Sequence, residues 1–238
     1  MEISTLRALN AAKRGRLGAV LVSDLAAGTS HLVTEDRVAA DQLGDEIRAR
    51  LLSGKSGIID IDGKSLFLNV YLPPPRIVVI GAVHISQALA PMAALSGFAV
   101  TIIDPRTAFA TPERFAGIDL RVEWPDEVFA TMPLDRYSAM VAVTHDPKID
   151  DPGVIAALQA GCFYVGALGS RKTRAKRIER LTAAGFDAET ISRIHAPIGL
   201  DIGAATPAEI AVAILADVIQ SLRRRTVGAA SGSYEASP

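Results

Sequence analysis

The stretch VVIGAVHISQA, residues 78–88, decides the fold. Its opening run of branched apolar residues reads as a strand buried on both faces, the mark of a parallel sheet. A glycine follows, and then a helical pattern. That strand–turn–helix order belongs to a dinucleotide-binding unit, whose turn is ordinarily G-x-G-x-x-G. Here Gly81 fills the first glycine position, Val83 the second and Ser86 the third. A branched side chain at 83 stands where a pyrophosphate needs close approach to the backbone. The fold signal is intact and the nucleotide signal is altered.

Working outward, the same pattern recurs. FAVTIID (98–104), YSAMVAVTHD (137–146) and CFYVGALG (162–169) read as further strands. Helices are expected over 85–96, 152–160 and 171–184. This alternation predicts an α/β fold, a Rossmann-like parallel sheet domain with helices on both faces. Ligands in such sheets bind beyond the carboxyl ends of the strands. Upstream, LPPPR (72–76) cannot continue a helix or donate to a sheet ladder, so it reads as a stiff connector. Before it, residues 1–72 predict a small α+β N-terminal domain. It holds a helix over 6–14, strands at 17–25 and 30–33, and a helical pattern over 38–54 stopped by Gly54. A hairpin over 57–72 turns at IDGK. The expected organisation is thus 1–72, a linker at 73–76, a cofactor-binding domain at 77–225, and a disordered tail at 226–238.

The chain has 238 residues, 49% of them apolar, and 25 basic against 26 acidic residues for a net charge of -1. That balance gives no bulk case for nucleic acid or a membrane surface as partner. No apolar run is long enough to span a bilayer. The single cysteine, Cys162, permits no internal disulfide and reads as a small core residue. With no basic-then-apolar leader at the N-terminus, the expected location is the cytoplasm.

Candidate ligand-binding residues fall at the strand ends. Gly81 permits the tight first turn, and His84 lies beside it at a helix N-terminus suited to an anion. Asp104 ends the second strand at about the 20-residue spacing of the acid that holds an NAD ribose. Thr144, His145 and Asp146 follow the third strand, as a polar rim or, more simply, as a turn. The fourth strand runs into GALGSRKTRAKRIERL (166–181), where Gly166 and Gly169 permit a turn and Ser170 is a plausible N-cap. Arg171, Lys172 and Arg174 then oppose the helix dipole, a cost accepted more readily where an anion binds. Lys176, Arg177 and Arg180 read as a solvated basic face. Finally, HAPIGLDIGAATPAE (195–209) is a loop with His195, Gly199 and Asp201, closed by a capping box at Thr206 and Glu209. Three histidines (84, 145, 195) thus fall near the expected crevice, without the close-spaced ligand pair of a metal site.

Taken together, DPRTAFATPERF (104–115), THDPKIDD (144–151), YVGALGSRKTRAKR (164–177) and HAPIGLDIGAATPAEIAVAILADVI (195–219) resemble the XdhC/CoxI family over residues 76–223. Members are accessory proteins for molybdenum hydroxylases such as xanthine dehydrogenase. The resemblance implies a chaperone that binds the molybdenum cofactor, as molybdopterin or its dinucleotide form. It would shield the cofactor and deliver it to a xanthine dehydrogenase-type hydroxylase, with a cofactor sulfurtransferase as a second partner. It implies that Gly81, His84, Asp104, Arg106, Thr144, His145, Asp146, Gly169, Ser170, Arg171 and the loop from His195 to Asp201 line the site, with no catalytic residue. Many members have G-x-G-H in the first turn; Val83 departs from that pattern and His84 keeps its histidine. Many also carry an N-terminal cysteine, which this chain lacks. Two other readings stay open at this point. One is an NAD(P)-dependent oxidoreductase, in which Asp104 would favour NAD by repelling a 2′-phosphate. The other is a degenerate Rossmann scaffold for protein contacts. The apolar C-terminal helix fits a core or a homodimer interface.

Overall fold

The computed structural model describes residues 2–227, so the tail expected at 226–238 lies outside the described residues beyond Val227. The described residues divide into two units, 2–73 with 223–227, and Pro74–Leu222.

In the first unit α1 (Ile3–Arg14) precedes β1 (Ala19–Asp24) and β2 (Ser30–Thr34). Next come α2 (Gly44–Ser53), β3 (Gly57–Ile61) and β4 (Lys64–Tyr71). The strands form an antiparallel sheet in the order β2-β1-β4-β3. Val20, Val22, Val33, Ile47, Leu51 and Leu68 make its core, with α2 supplying Ile47 and Leu51. Asp62 and Gly63 both have positive φ, 51° and 74°. That is what a two-residue hairpin turn matched to strand twist requires. The single helical pattern expected over 38–54 is broken in the structure. A 3₁₀ turn (Val38–Ala40) ends at Asp41, whose carboxylate accepts from the Leu43 N–H at 2.9 Å, and α2 starts only at Gly44. A Cβ on Gly44 would stand 2.7 Å from the Val38 carbonyl oxygen, so the sharp bend needs glycine.

The second unit begins with β5 (Arg76–Ile80), α3 (His84–Leu95), β6 (Ala99–Ile103) and β7 (Asp119–Arg121). It continues through α4 (Pro125–Thr131), β8 (Ser138–Ala142), α5 (Pro147–Gln159) and β9 (Tyr164–Ala167). It closes with α6 (Arg171–Ala183), α7 (Ala188–Ser192), β10 (Ile194–His195) and α8 (Pro207–Val227), the last as far as Leu222. Its six strands are parallel in the order β10-β9-β8-β5-β6-β7. This is the doubly wound order, and it reverses between β5 and β8. All five residues of β5 and of β8 are buried. Ile77 and Val79 pack with Leu89 of α3 and Ile214 and Val218 of α8 on one face. Val78 and Ile80 pack with Val128 of α4, Val154 of α5 and Leu181 of α6 on the other.

Three expectations change here. The helix expected from Pro152 starts five residues earlier, because Asp146 caps it by accepting from the Lys148 N–H at 2.9 Å and Pro147 takes its first turn. His195 ends a short strand, β10, instead of lying in a loop. Gly166 also lies inside a strand, β9, and not in a turn.

The loop after β10 docks on the main chain of α8. Leu200 N–H donates to the Ala213 carbonyl at 3.1 Å. Gly199 has φ +86°, and a Cβ on it would stand 2.9 Å from main-chain atoms of Ala213 and Ile214. Gly199→Ala therefore adds left-handed strain and a backbone clash. The expected cost is about 2–4 kcal/mol, read as a lower urea midpoint at unchanged slope.

Candidate functional site

In a sheet of this order ligands bind where the strand order reverses, here between the turns after β5 and β8. Gly81 has φ +119°, and a Cβ there would meet Thr144 Cγ2 at 2.8 Å. Its glycine therefore admits the neighbouring β8 turn. Ser86, in place of the third glycine, is fully buried and donates its hydroxyl to the Gly81 carbonyl. Val83 is the N-cap of α3 in extended conformation with no side-chain cap bond, and His84, the first helical residue, is exposed. Arg114 clamps the turn from outside, donating to the Ala82 carbonyl at 3.1 Å and to Gln87 Oε1 at 2.8 Å.

Asp104, just past β6, is fully buried. Its Oδ2 accepts from the Ala82 N–H at 2.8 Å and from Arg106 Nη2 at 2.7 Å. Its Oδ1 accepts from Arg106 N at 3.0 Å and Arg106 Nε at 2.9 Å. A carboxylate offers about four acceptor positions, and all are taken. Burial pushes its pKa up, but the Arg106 side chain and the two backbone N–H groups outweigh burial and hold it below the usual value. The sequence expectation that Asp104 would hold a ribose or repel a 2′-phosphate is thus corrected: its acceptors face inward and its charge is paired. Arg106 remains partly exposed and stacks on the Phe109 ring at 4.5 Å. The Asp104 bonds raise its pKa, as do the carboxylates of Asp146 and Asp150. Arg106 therefore lies between the β5 turn and the acidic β8 turn.

At that β8 turn Thr144 Oγ1 donates to Asp150 Oδ1 at 2.7 Å and accepts from the Asp146 N–H at 3.0 Å. Exposed His145 adopts φ +67°, a strained angle for a side-chain residue. Asp150 is fully buried, and burial raises its pKa against the Thr144 bonds and the Arg177 charge, which lower it. Its Oδ2 lies 3.6 Å from Arg177 Nη2. This overturns the reading of Arg177 as part of a solvated face, whereas the Arg180 side chain stays 38% exposed. Arg177 is buried and also faces Asp151 at 3.5 Å, while Arg180 binds both Asp151 oxygens. Both cations pair with acids of α5, and Arg177 turns inward to do so. Lys176 is exposed as expected.

At the end of β9, Gly169 has φ +153°, and Ser170 caps α6 by accepting from the Thr173 N–H at 3.3 Å. Arg171 opens α6, but its side chain lies outside the described structure; Lys172 and Arg174 are exposed. Farther along the sheet stands a buried network. His195 Nδ1 meets Asp217 Oδ2 at 2.8 Å, and the Tyr164 hydroxyl donates to the same oxygen at 2.9 Å. Burial, the Asp217 charge and that bond push the Tyr164 phenol well above its usual pKa, so it stays a donor. Gly166 makes the network possible, because a Cβ there would stand 2.7 Å from the Tyr164 hydroxyl oxygen.

The structure thus gathers Gly81, Asp104, Arg106, Thr144, His145 and Asp146 at the reversal point, with His84 at the head of α3. Ser170 and Arg171 lie two strands away, about 10 Å at the usual spacing. His195 is three strands from β5, about 14 Å across the sheet, and Asp201 is exposed. The three histidines are spread over the sheet, and no metal-ligating cluster occurs among the described residues. Cys162 is buried as expected, and burial with the Asp135 charge pushes its thiol up to about 12. Sequence reasoning missed Asp217, Tyr164, Asp150 and Arg114; a lone acid in the apolar run IAVAILADVI was the one visible signal.

Two outcomes follow from these bonds. Because Asp104 is lowered in the fold, its stabilisation is full above the ordinary value of 3.8 and is lost as pH falls below it. Urea denaturation from about pH 5 to about pH 2 should show that loss, and Asp104→Asn should abolish that share of it. Tyr164→Phe should cost about 1–2 kcal/mol by removing one donor from a buried carboxylate.

Comparison with known proteins locates this fold. A model of the XdhC Rossmann domain matches residues 77–218, more than half of the chain. A Bacillus subtilis protein, named as a probable xanthine dehydrogenase subunit, is 32% identical over 164 residues, 68% of this chain and 48% of its own. The uncharacterized protein YqeB of Escherichia coli is 31% identical over 156 residues, 66% of this chain and 29% of its own. The molybdenum cofactor insertion chaperone PaoD of Escherichia coli is 28% identical over 148 residues, 62% of this chain and 40% of that one. Each match spans less than half of the curated relative. A crystal structure of a xanthine dehydrogenase from Bacillus halodurans shares the fold, with a TM-score of 0.59 at 22% identity over 99% of this chain and 65% of that one. With the doubly wound order and the matched domain together, the chain belongs to the XdhC family.

Proposed function

We propose that this protein binds the molybdenum cofactor in the crevice at the strand reversal and delivers it to a xanthine dehydrogenase-type molybdenum hydroxylase. The observation that carries this reading is family membership through the Rossmann domain, joined to a relative named as a molybdenum cofactor insertion chaperone. The donor set fits the phosphate end of that cofactor. Arg106 presents a fixed guanidinium, and the N-termini of α3 and α6 present unpaired N–H groups with favourable dipoles. Ser170 and Arg171 would hold a phosphate at α6, and Gly81, His84, Thr144, His145, Asp146 and Gly169 would border it. His195, Gly199 and Asp201 would belong to the outer wall. When bound, the cofactor supplies the redox chemistry that its final hydroxylase uses; this chain's residues orient it and exclude water.

The saturation of Asp104 weighs against an NAD(P)-dependent oxidoreductase in the same crevice, because the strand-end carboxylate offers no acceptor to a ribose diol. The reading includes a cytoplasmic location, a homodimer and a cofactor sulfurtransferase as a second partner. No helix of the described residues is long and apolar enough to cross a membrane.

The deciding experiment titrates purified protein with isolated molybdopterin cofactor, with NAD run in parallel. Cofactor should bind and NAD should not, and Arg171→Ala should weaken cofactor binding about tenfold through a lost charge-assisted contact. Micromolar binding of NAD alone overturns the reading.

A further inference from the structure

In a sheet of this order the carboxylate at the end of the second strand ordinarily reads a ribose diol. Here that position is Asp104, and its four acceptor positions are filled from within the chain. The group left partly exposed at this strand end is Arg106. Its side chain is 31% exposed against 0% for Asp104. Nε and Nη2 bind Asp104, whereas Nη1 has no hydrogen-bond partner among the described residues. The Phe109 ring fixes the guanidinium plane from one side. The end of β6 is therefore a fixed, donor-only edge whose charge is shared with Asp104.

Such an edge complements a group that only accepts. A phosphomonoester accepts at each of its terminal oxygens and pairs with guanidinium in a forked geometry. A ribose diol also needs an acceptor, and Asp104 offers none. The middle of the crevice points the same way. Val83 places a branched side chain where a pyrophosphate would approach the backbone. The carboxylates of Asp146 and Asp150 act on Arg106 itself and help to hold it in its charged form.

We propose that Arg106, locked by Asp104 and Phe109, is a phosphomonoester-reading subsite, so that this chain takes the pterin cofactor in its monophosphate form in preference to the dinucleotide form, which ends in a nucleoside. The second half of this inference rests on the cofactor reading above; the first half stands on the subsite alone.

The test uses the full purified chain and three probes: isolated molybdopterin cofactor in its monophosphate form, the cytosine dinucleotide form, and phenyl phosphate. The first two are compared by competition titration, the third by phosphorus NMR. The monophosphate form should bind about tenfold or more tightly than the dinucleotide form, the scale of one charge-assisted contact. Arg106→Gln should erase that preference and abolish phenyl phosphate binding. Because this substitution strands the buried Asp104 charge, the double variant Asp104→Asn with Arg106→Gln is run beside it, with folding checked by circular dichroism. It should show the same losses. Equal or tighter binding of the dinucleotide form, or phosphate binding unchanged in both variants, overturns the inference while leaving the cofactor reading standing. If neither pterin form binds, the cofactor reading fails, and phenyl phosphate alone decides the assignment of Arg106.

Discussion

One buried carboxylate ties the turn after β5 to the loop after β6 in the second unit, where its strand order reverses. Asp104 bonds the Ala82 backbone of the first turn, the Arg106 backbone of the next loop, and the Arg106 guanidinium. A parallel sheet brings its functional groups from the ends of crossovers, which no hairpin hydrogen bonds align. Something else must fix those ends relative to one another. Here side-chain carboxylates do it, and their partners are chosen so that little charge is left unpaired in the interior.

The same device recurs after β8 and between α5 and α6. Asp150 accepts from Thr144 and faces Arg177, while Asp151 takes Arg177 and Arg180. At the opposite end of the sheet Arg76 donates to Ser138 Oγ at 2.8 Å and pairs with Asp135. Buried pairs of this kind add little net stability over apolar packing, because desolvation offsets much of their attraction. Removing one partner, in contrast, strands a charge. Their contribution is therefore positional, holding loops whose own backbones are short of regular hydrogen bonds.

Much of the fold was legible in the sequence. The runs at 77–80 and 139–143 are continuously apolar, as a strand buried on both faces of a parallel sheet requires. Asp62–Gly63 and the caps at Ser170 and Thr206 are local chemistry, carried by residues within three positions of each other. What was not legible depends on distance. His195 and Asp217 are separated by 22 positions, and Arg177 reaches Asp151 across 26. A run such as RKTRAKRIERL has the charge pattern of a solvated helix, and only the placement of α5 reveals that part of it is inward. Asp104 was located correctly as a strand-end acid. Its orientation depends on Arg106, whose side chain could point either way until the fold fixes it.

The relation of Tyr164 to Gly166 has a consequence for how this sequence can drift. The two lie on the same face of β9, and the phenol occupies the volume that any larger residue at 166 would need. Neither position can therefore change alone without cost. A larger residue at 166 becomes admissible only when the ring at 164 is lost and Ile198 also gives way, and with the ring goes one of the two donors that keep Asp217 satisfied within α8. Positions 164, 166, 195 and 217 thus form one unit of inheritance, written across 54 residues of chain, and relatives should exchange its members as a set.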